Sequence, residues 1–172
     1  TDDETRFTRT TGYVGCLDSA SNDKLMMRWF KQMTEIQIQE GVKIPELEVV
    51  KHAMGKCFSG AENTEDIAQF EYKMKTQEIE ITYQKNGKKE KLPMRMLSDG
   101  LKITISMVAD IAYRMAILNP QLLDNVLTET EGIVLIDEVD LHLHPSWQKR
   151  ILKDLMDTFP KVQFIVSTHA PE

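Results

Sequence analysis

The strongest constraint on the fold is an apolar run that ends in two adjacent carboxylates. Residues 132–136 read Gly-Ile-Val-Leu-Ile, and Asp137 and Glu138 follow directly. An unbroken aliphatic run is typical of a central parallel strand that is covered on both faces. Such a strand brings its last side chains to the carboxyl edge of a sheet, where open α/β folds bind ligands. The simpler alternative is an apolar strand followed by an acidic turn.

The residues that follow predict a second strand beside the first. A helix is expected from Pro145 to about Thr158, and a second apolar strand from Val162 to Val166. The order strand, helix, strand predicts a βαβ unit with parallel strands and a right-handed crossover. Both strands then end at one edge of the sheet, so we expect His169 to lie near the two carboxylates.

The chain upstream of this unit divides into three regions. Residues 1–17 are polar and predict a flexible lead-in, and residues 18–60 predict two helices, the second beginning at Pro45 and closing near Gly60. Residues 61–95 alternate in polarity and predict three antiparallel strands, over residues 68–75, 78–84 and 90–95, with Asn86-Gly87 as a hairpin turn. From Asp99 the helical period returns, and one apolar face is expected to join the core. A short helix is expected over residues 120–130.

Charge and composition narrow the class of partner. The chain of 172 residues carries a net charge of −6, which argues against non-specific nucleic-acid binding. Lysines cluster near the expected hairpin tip, where a solvated charged turn is favoured over a nucleic-acid contact. Those lysines are Lys85, Lys88, Lys89 and Lys91.

The cysteine pattern indicates a reducing compartment. Cys16 and Cys57 show no paired spacing, so free thiols in the cytoplasm are the simplest account. The sequence also has no apolar run long enough to cross a membrane and no apolar signal region at its start.

The two carboxylates suit two different tasks. A carboxylate at a strand end can hold Mg²⁺, usually through water, and Asp137 is placed for that. The side chain of the next residue points elsewhere, so Glu138 can accept a proton from an attacking water.

A second candidate site precedes the long helix that begins near Asp99. Ser98, Gly100 and the helix N-terminus together offer a hydroxyl, backbone amides and a favourable dipole to a phosphate. The alternative is that Ser98 or Asp99 only caps the helix.

Histidines supply a third group of candidates. A neutral His169 could hydrogen-bond a phosphate or the attacking water, or serve only a structural role at the strand end. Asp140, His142, His144 and His169 also admit a zinc-dependent hydrolase, which is the weakest of these hypotheses because the residues run into the start of a helix.

Three of these motifs occur in a characteristic order. Leu97-Ser98-Asp99-Gly100, residues 133–138 and Ser167-Thr168-His169 resemble the signature motif, Walker B strand and switch-histidine loop of an ABC-class ATPase. The residues of these motifs are most similar to those of bacterial ATPases grouped with the RecF, SMC and OLD proteins. That group includes subunits of anti-phage defence systems. The resemblance is specific over residues 96–172 and loose over residues 11–95.

The resemblance implies a fold and a set of roles. The fold would be part of an α/β P-loop NTPase head that binds ATP with Mg²⁺ and works as a head-to-head homodimer. Asp137 would bind Mg²⁺, Glu138 would be the general base, and His169 would sense the γ-phosphate. Ser98 and Gly100 would contact the nucleotide held by the opposite subunit. Dimer closure would drive an effector such as a nuclease, in a DNA-related or defence process.

One motif of the family is missing. No G-x-x-x-x-G-K-S/T sequence occurs, and Gly55-Lys56-Cys57 lacks the upstream glycine and the hydroxyl. With Thr1 in place of a starting Met, the chain is expected to be a C-terminal segment whose P-loop lies upstream, and to be inactive alone. The rival interpretation is a non-hydrolysing interaction or dimerisation module that keeps the ATPase fold.

Overall fold

Helices and two separate sheets alternate along the chain. The computed structural model describes residues 22–60, 66–139 and 143–168. The helices are α1 (Asn22–Glu40), α2 (Pro45–Ser59), α3 (Asp99–Leu118), α4 (Val126–Glu129), α5 (Pro145–Gln148) and α6 (Ile151–Thr158). The strands are β1 (Gln69–Lys73), β2 (Glu78–Lys85), β3 (Lys88–Pro93), β4 (Gly132–Ile136) and β5 (Val162–Val166). The mixed α/β class predicted from the sequence is confirmed.

Helices α2 and α3 form the centre of the core. Helix α3 buries one face at helical spacing, as its sequence predicts. Helix α2 packs against α3, α6 and β1. A Cβ atom on Gly55 would lie 1.9 Å from the Ala68 carbonyl oxygen, so only glycine permits this approach of α2 to β1. The buried residues of the predicted α3 face are Thr104, Ile105, Val108, Ile111, Ala112 and Met115.

The first helix attaches to this core through aromatic side chains. Phe30 of α1 is fully buried, and the Trp29 ring lies 5.1 Å from the Tyr113 ring of α3 in an edge-on arrangement. The apolar stripe of α1 therefore serves as a packing surface, while Leu25 at its start remains half exposed. Within the described ranges, every helix is too short or too polar for a bilayer crossing.

The antiparallel sheet follows the order β1-β2-β3. Asn86 and Gly87 both have positive φ, 52° and 73°, so the predicted two-residue hairpin turn is confirmed. The third strand was expected over residues 90–95 but runs over Lys88–Pro93. Pro93 has no N–H with which to continue the ladder, and the chain turns into a 3₁₀ helix at Met94–Met96.

Two of the four lysines near the predicted hairpin tip form ion pairs with acids of the same sheet. Lys91 forms an ion pair of 3.2 Å with Glu80, and Lys85 lies 3.8 Å from Glu90. Because these side chains are exposed, the pairs contribute little to stability.

The second sheet contains the predicted parallel pair. Strands β4 and β5 are in register from Gly132 opposite Val162 to Ile136 opposite Val166. The expectation that β4 is covered on both faces was wrong. Ile133 and Leu135 are 62% and 76% exposed, because the described helices pack against only the opposite face.

The segments flanking β4 are also less regular than predicted. Residues 120–130 form a 3₁₀ helix, Pro120–Asn125, followed by the single turn of α4. The helix expected over residues 145–158 is split into α5 and α6 at Lys149 and Arg150. At this break the Arg150 guanidinium donates to the Cys57 carbonyl oxygen at the end of α2 (3.0 Å) and lies over the Trp147 ring. These tertiary contacts compete with a continuous helix.

Candidate functional site

The predicted carboxylates lie where β4 ends, beside the end of β5. Ile136 is the last residue of β4 and pairs with Val166, so Asp137 and Glu138 emerge next to Ser167. Asp137 is exposed and Glu138 is half-buried. The structure thus places both acids at the carboxyl edge of a parallel sheet, the position predicted from the sequence.

Ser167 ties this edge together through four hydrogen bonds. Its N–H donates to the Ile136 carbonyl oxygen (3.0 Å), and its own carbonyl oxygen accepts from the Val139 N–H (3.1 Å). Its hydroxyl accepts from the Glu138 N–H at 2.8 Å and donates to Asp137 Oδ1. In the sequence, Ser167 stands two residues before His169, and no separate role was predicted for it. Its position directly after the second parallel strand was the available signal.

The backbone at Glu138 is unusual. Its φ of 51° lies in the left-handed region, which a residue with a side chain adopts at a cost of about 1–3 kcal/mol. Such strain is concentrated at functional sites, where the surrounding structure holds it in place. Here the hydrogen bond from the Glu138 N–H to Ser167 stabilises the strained conformation.

The second candidate group lies at the N-terminus of α3. Ser98 is exposed and caps the helix, its Oγ accepting from the Leu101 N–H at a long 3.4 Å. Asp99 forms an ion pair of 3.0 Å with Lys102, and the carbonyl oxygen of the buried Gly100 accepts from the Thr104 hydroxyl. These hydrogen bonds all stay within α3. Ser98 therefore acts as the N-cap, and no such bond joins it to Asp137 in the described structure.

The histidine candidates are only partly described. His169, Asp140 and His142 lie outside the described residues. His144 caps α5, and its Nδ1 accepts from the Ser146 N–H at 3.3 Å. Among the described residues, no group of three His, Cys, Asp or Glu side chains is close enough together to hold a metal ion.

The donors at the β4–β5 edge fit Mg²⁺ chemically. Asp137 and Glu138 supply carboxylate oxygens, the ligand type that Mg²⁺ prefers. One Asp137 oxygen accepts the Ser167 proton, which leaves the other for a cation. In the part of the chain that the structure describes, no lysine or arginine forms an ion pair with Asp137.

Among the described residues, no phosphate-binding loop lies beside this edge. The Gly-Lys pair at residues 55–56 lies inside α2, with Gly55 buried against β1. Lys56 donates to the Asp157 carbonyl oxygen at 2.5 Å. These residues therefore serve packing and do not form a phosphate loop.

A cavity of about 600 Å³ lies elsewhere, between α2, β1 and α4. It is lined by His52, Phe70 and Asp124 among others, and by none of the predicted site residues. Burial, and secondarily the nearby Lys56, lowers the pKa of His52 below its usual value. The cavity and the carboxylate edge are separate features.

The comparison with known families supports the ATPase resemblance. Residues 26–172 match the family described as "AAA domain, putative AbiEii toxin, Type IV TA system". The chain belongs to this family. The match includes both carboxylates and the whole βαβ region, and it agrees with the mixed α/β fold.

Individual relatives carry related names. The chain is 50% identical over 97 residues to the "Retron Vc95 probable ATPase" of Vibrio cholerae serotype O1 biovar El Tor, covering 56% of this chain and 18% of that protein. It is 53% identical over 81 residues to the "Retron Ec83 probable ATPase" of Escherichia coli, covering 47% and 15%. It is 44% identical over 75 residues to the "Septu protein PtuA" of Bacillus mycoides (strain KBAB4), covering 44% and 10%.

The matched region is a small part of each relative. The chain spans less than a fifth of the length of these curated relatives. The matching family is that of an AAA domain, and two of these relatives are named probable ATPases.

Proposed function

We propose that this chain supplies the metal-binding and water-activating edge of a Mg²⁺-dependent ATPase. The observation that carries the proposal is the pair Asp137 and Glu138 at the carboxyl end of a parallel strand, held by Ser167. The family assignment supports a nucleotide as the substrate. The missing P-loop motif supports the expectation that this chain alone hydrolyses ATP feebly or not at all.

Each carboxylate has its own role in the proposal. Asp137 is the Mg²⁺ ligand, directly or through water, and uses the oxygen that Ser167 does not occupy. Glu138, the next residue, acts as the general base and accepts the proton of the water that attacks the γ-phosphate. Bound Mg²⁺ would neutralise the charge that develops on the phosphoryl oxygens.

In the proposed head-to-head dimer, the N-terminus of α3 faces the nucleotide that the opposite subunit holds. Ser98 is exposed, and among the described residues its hydroxyl accepts a single long bond, from its own helix, so it is accessible to a ligand. Ser98 and Gly100 would contact the γ-phosphate of the nucleotide held by the partner subunit. His169, outside the described residues, is proposed to sense the same phosphate from its own subunit.

The wider role is proposed from the relatives. Retron and Septu names among them support a defence process in which the ATPase acts on an effector protein, such as a nuclease. ATP-dependent closure of the dimer would license that effector. A nucleic acid is a further partner to be tested.

The proposal is tested by neutralising the base. In the intact protein, Glu138→Gln is expected to lower ATP turnover at least about 100-fold, the usual contribution of a general base, while ATP binding is retained. Glu131→Gln changes an exposed acid at the opposite end of β4. It is the matched control and should leave turnover unchanged. Turnover of Glu138→Gln within threefold of wild type would refute the assignment.

A second candidate function rests on a different observation. Ile133, Leu135 and Ile165 form an exposed apolar face on the β4–β5 sheet, which favours an association module without catalysis. Measuring ATP hydrolysis by the intact protein separates the two candidates. Turnover that depends on Glu138 favours the enzyme, and association without turnover favours the module.

A further inference from the structure

We infer that Ser167 is a positioning residue for the two carboxylates and that its hydroxyl sets the affinity of the site for the divalent metal. The inference rests on the proposed function, because it assigns Ser167 a role at the same edge. Ser167 belongs to the segment after β5, yet it contacts four consecutive residues, 136–139, at and after the end of β4.

The roles of the hydroxyl in these contacts are chemically fixed. The Glu138 N–H can only donate, so Ser167 Oγ must accept that bond. An ionised carboxylate can only accept, so the single hydroxyl proton must point to Asp137 Oδ1. One hydroxyl therefore binds both acidic residues at once, and its donor and acceptor roles allow only this arrangement of the two hydrogen bonds.

The contact with Asp137 orients a metal ligand. The bond to Oδ1 holds the rotation of the carboxylate and directs Oδ2 away from Ser167. Asp137 is exposed, so packing alone does not fix this rotation. Groups that hydrogen-bond a metal ligand usually change metal affinity by about 10–100-fold when they are removed.

The contact with Glu138 orients the proposed base through its backbone. The left-handed φ of 51° decides where the Glu138 side chain leaves the chain. Loss of the bond to Ser167 Oγ removes one support of this conformation, so we expect the carboxylate to shift. A single lost hydroxyl is thus expected to affect both acids.

A purely structural role would rest on the backbone of Ser167. The parallel ladder continues past Val166 through the Ser167 N–H and carbonyl oxygen, which bond to Ile136 and Val139. These bonds do not use the hydroxyl. Removing it should therefore leave the pairing of β4 and β5 intact.

The test compares two variants of the same shape in the intact protein. Ser167→Thr keeps the hydroxyl and Ser167→Val replaces it with a methyl group, while Ser167→Ala removes it without branching. Ser59→Ala is the matched control, because Ser59 Oγ also accepts from a backbone N–H, that of Ala68 at 2.7 Å, away from the carboxylates. The readout is Mn²⁺ binding in the presence of ADP, followed by electron paramagnetic resonance, together with the Mg²⁺ dependence of turnover.

We expect Ser167→Val and Ser167→Ala to weaken Mn²⁺ binding about 10–100-fold and to raise the Mg²⁺ requirement similarly. Ser167→Thr should stay within threefold of wild type, and Ser59→Ala should match wild type in metal binding. Unchanged Mn²⁺ binding in both hydroxyl-free variants, or equal losses in the Thr and Val variants, would overturn the inference.

Asp137→Asn separates this inference from the proposed function. If it leaves Mn²⁺ binding unchanged, Asp137 is not a metal ligand, and both the proposed function and the role of Ser167 fail. If Asp137→Asn abolishes Mn²⁺ binding while both hydroxyl-free variants bind like wild type, only the role of Ser167 fails.

Discussion

Two strands that both carry large aliphatic side chains lie in very different surroundings. In β2, Ile79 and Ile81 are fully buried in the core. In β4, Ile133 and Leu135 are 62% and 76% exposed, although their strand is the more uniformly apolar of the two. Apolar character alone therefore does not determine burial, which depends on what packs against each strand face.

The difference separates a region whose apolar faces cover one another from a region with an exposed apolar face. Helices α2 and α3 and the antiparallel sheet bury their apolar faces against one another. The β4–β5 sheet instead presents an open apolar face and, at its carboxyl edge, two acids. Parallel sheets normally have both faces covered. The candidate chemistry thus lies in the region that leaves an apolar face exposed.

The most severe test of this contrast is a matched pair of leucines. Leu47→Ala removes a fully buried side chain from α2 and should lower the free energy of unfolding by about 2–5 kcal/mol. Leu135→Ala removes an exposed one and should change it by less than about 0.5 kcal/mol. Denaturant unfolding of both variants of this chain measures the two effects. Comparable losses would mean that β4 is covered in solution.

A pair of glycines tests the same contrast through the backbone. Gly55→Ala places a methyl group against the Ala68 carbonyl oxygen and should destabilise the chain by about 1–3 kcal/mol or more. A Cβ atom on Gly132 meets no atom within 4 Å, so Gly132→Ala should be nearly neutral. Thermal unfolding of the two variants provides the comparison. A neutral Gly55→Ala would contradict the close packing of α2 on β1.

Arg150 tests the contact between the two regions. Arg150→Ala removes the hydrogen bond to the Cys57 carbonyl oxygen and leaves the buried Asp154, 2.8 Å away, without its ion-pair partner. Breaking a fully buried pair costs about 3–5 kcal/mol, and because Arg150 is partly exposed we expect about 2 kcal/mol. Chemical denaturation measures the loss, with Lys153→Ala as a control on the exposed side of α6.

The same variant should show a defined pH dependence. Burial raises the pKa of Asp154, and Arg150 opposes that rise. Because the folded state then holds the proton more tightly than the unfolded state, ionisation of Asp154 costs stability as the pH rises. The defect of Arg150→Ala should therefore be smaller at about pH 5 than at about pH 8. A defect that grows on acidification would contradict this account.

The smallest expected effect is the reactivity of a core thiol. Burial, with a secondary contribution from Asp154, raises the pKa of Cys57 to about 12. The thiolate, which is the reactive form, should be scarce at about pH 8, so alkylation should require unfolding. Iodoacetamide labelling of a Cys16→Ser variant, with and without denaturant, measures this. Rapid labelling of the native protein would show that the α2 core opens readily.

Local patterns predicted much of the fold. The turn at Asn86-Gly87, the limits of α2 and the buried face of α3 follow from nearest-neighbour spacing and turn chemistry. The parallel pairing of β4 with β5 followed from element order. The positions of Asp137 and Glu138 at the sheet edge were predicted on the same basis.

The remaining features depend on contacts between distant segments. The break between α5 and α6 coincides with bonds from Arg150 to α2, some 90 residues away, which no helical period encodes. Whether a face of β4 is exposed depends on what packs against the sheet. The same apolar run is compatible with a covered face and with an exposed one. The part played by Ser167 arises from a bond to a residue 29 positions away, and becomes visible only when the strand ends are in register.

We propose above that the β4–β5 edge binds the metal and activates the water of an ATPase. The most direct measurement is a crystal structure of the intact protein with Mg²⁺ and a non-hydrolysable ATP analogue. The account predicts an Asp137 oxygen in the coordination sphere of Mg²⁺, directly or through one water, and the Glu138 carboxylate facing the γ-phosphate. A nucleotide and metal bound away from this edge would contradict it.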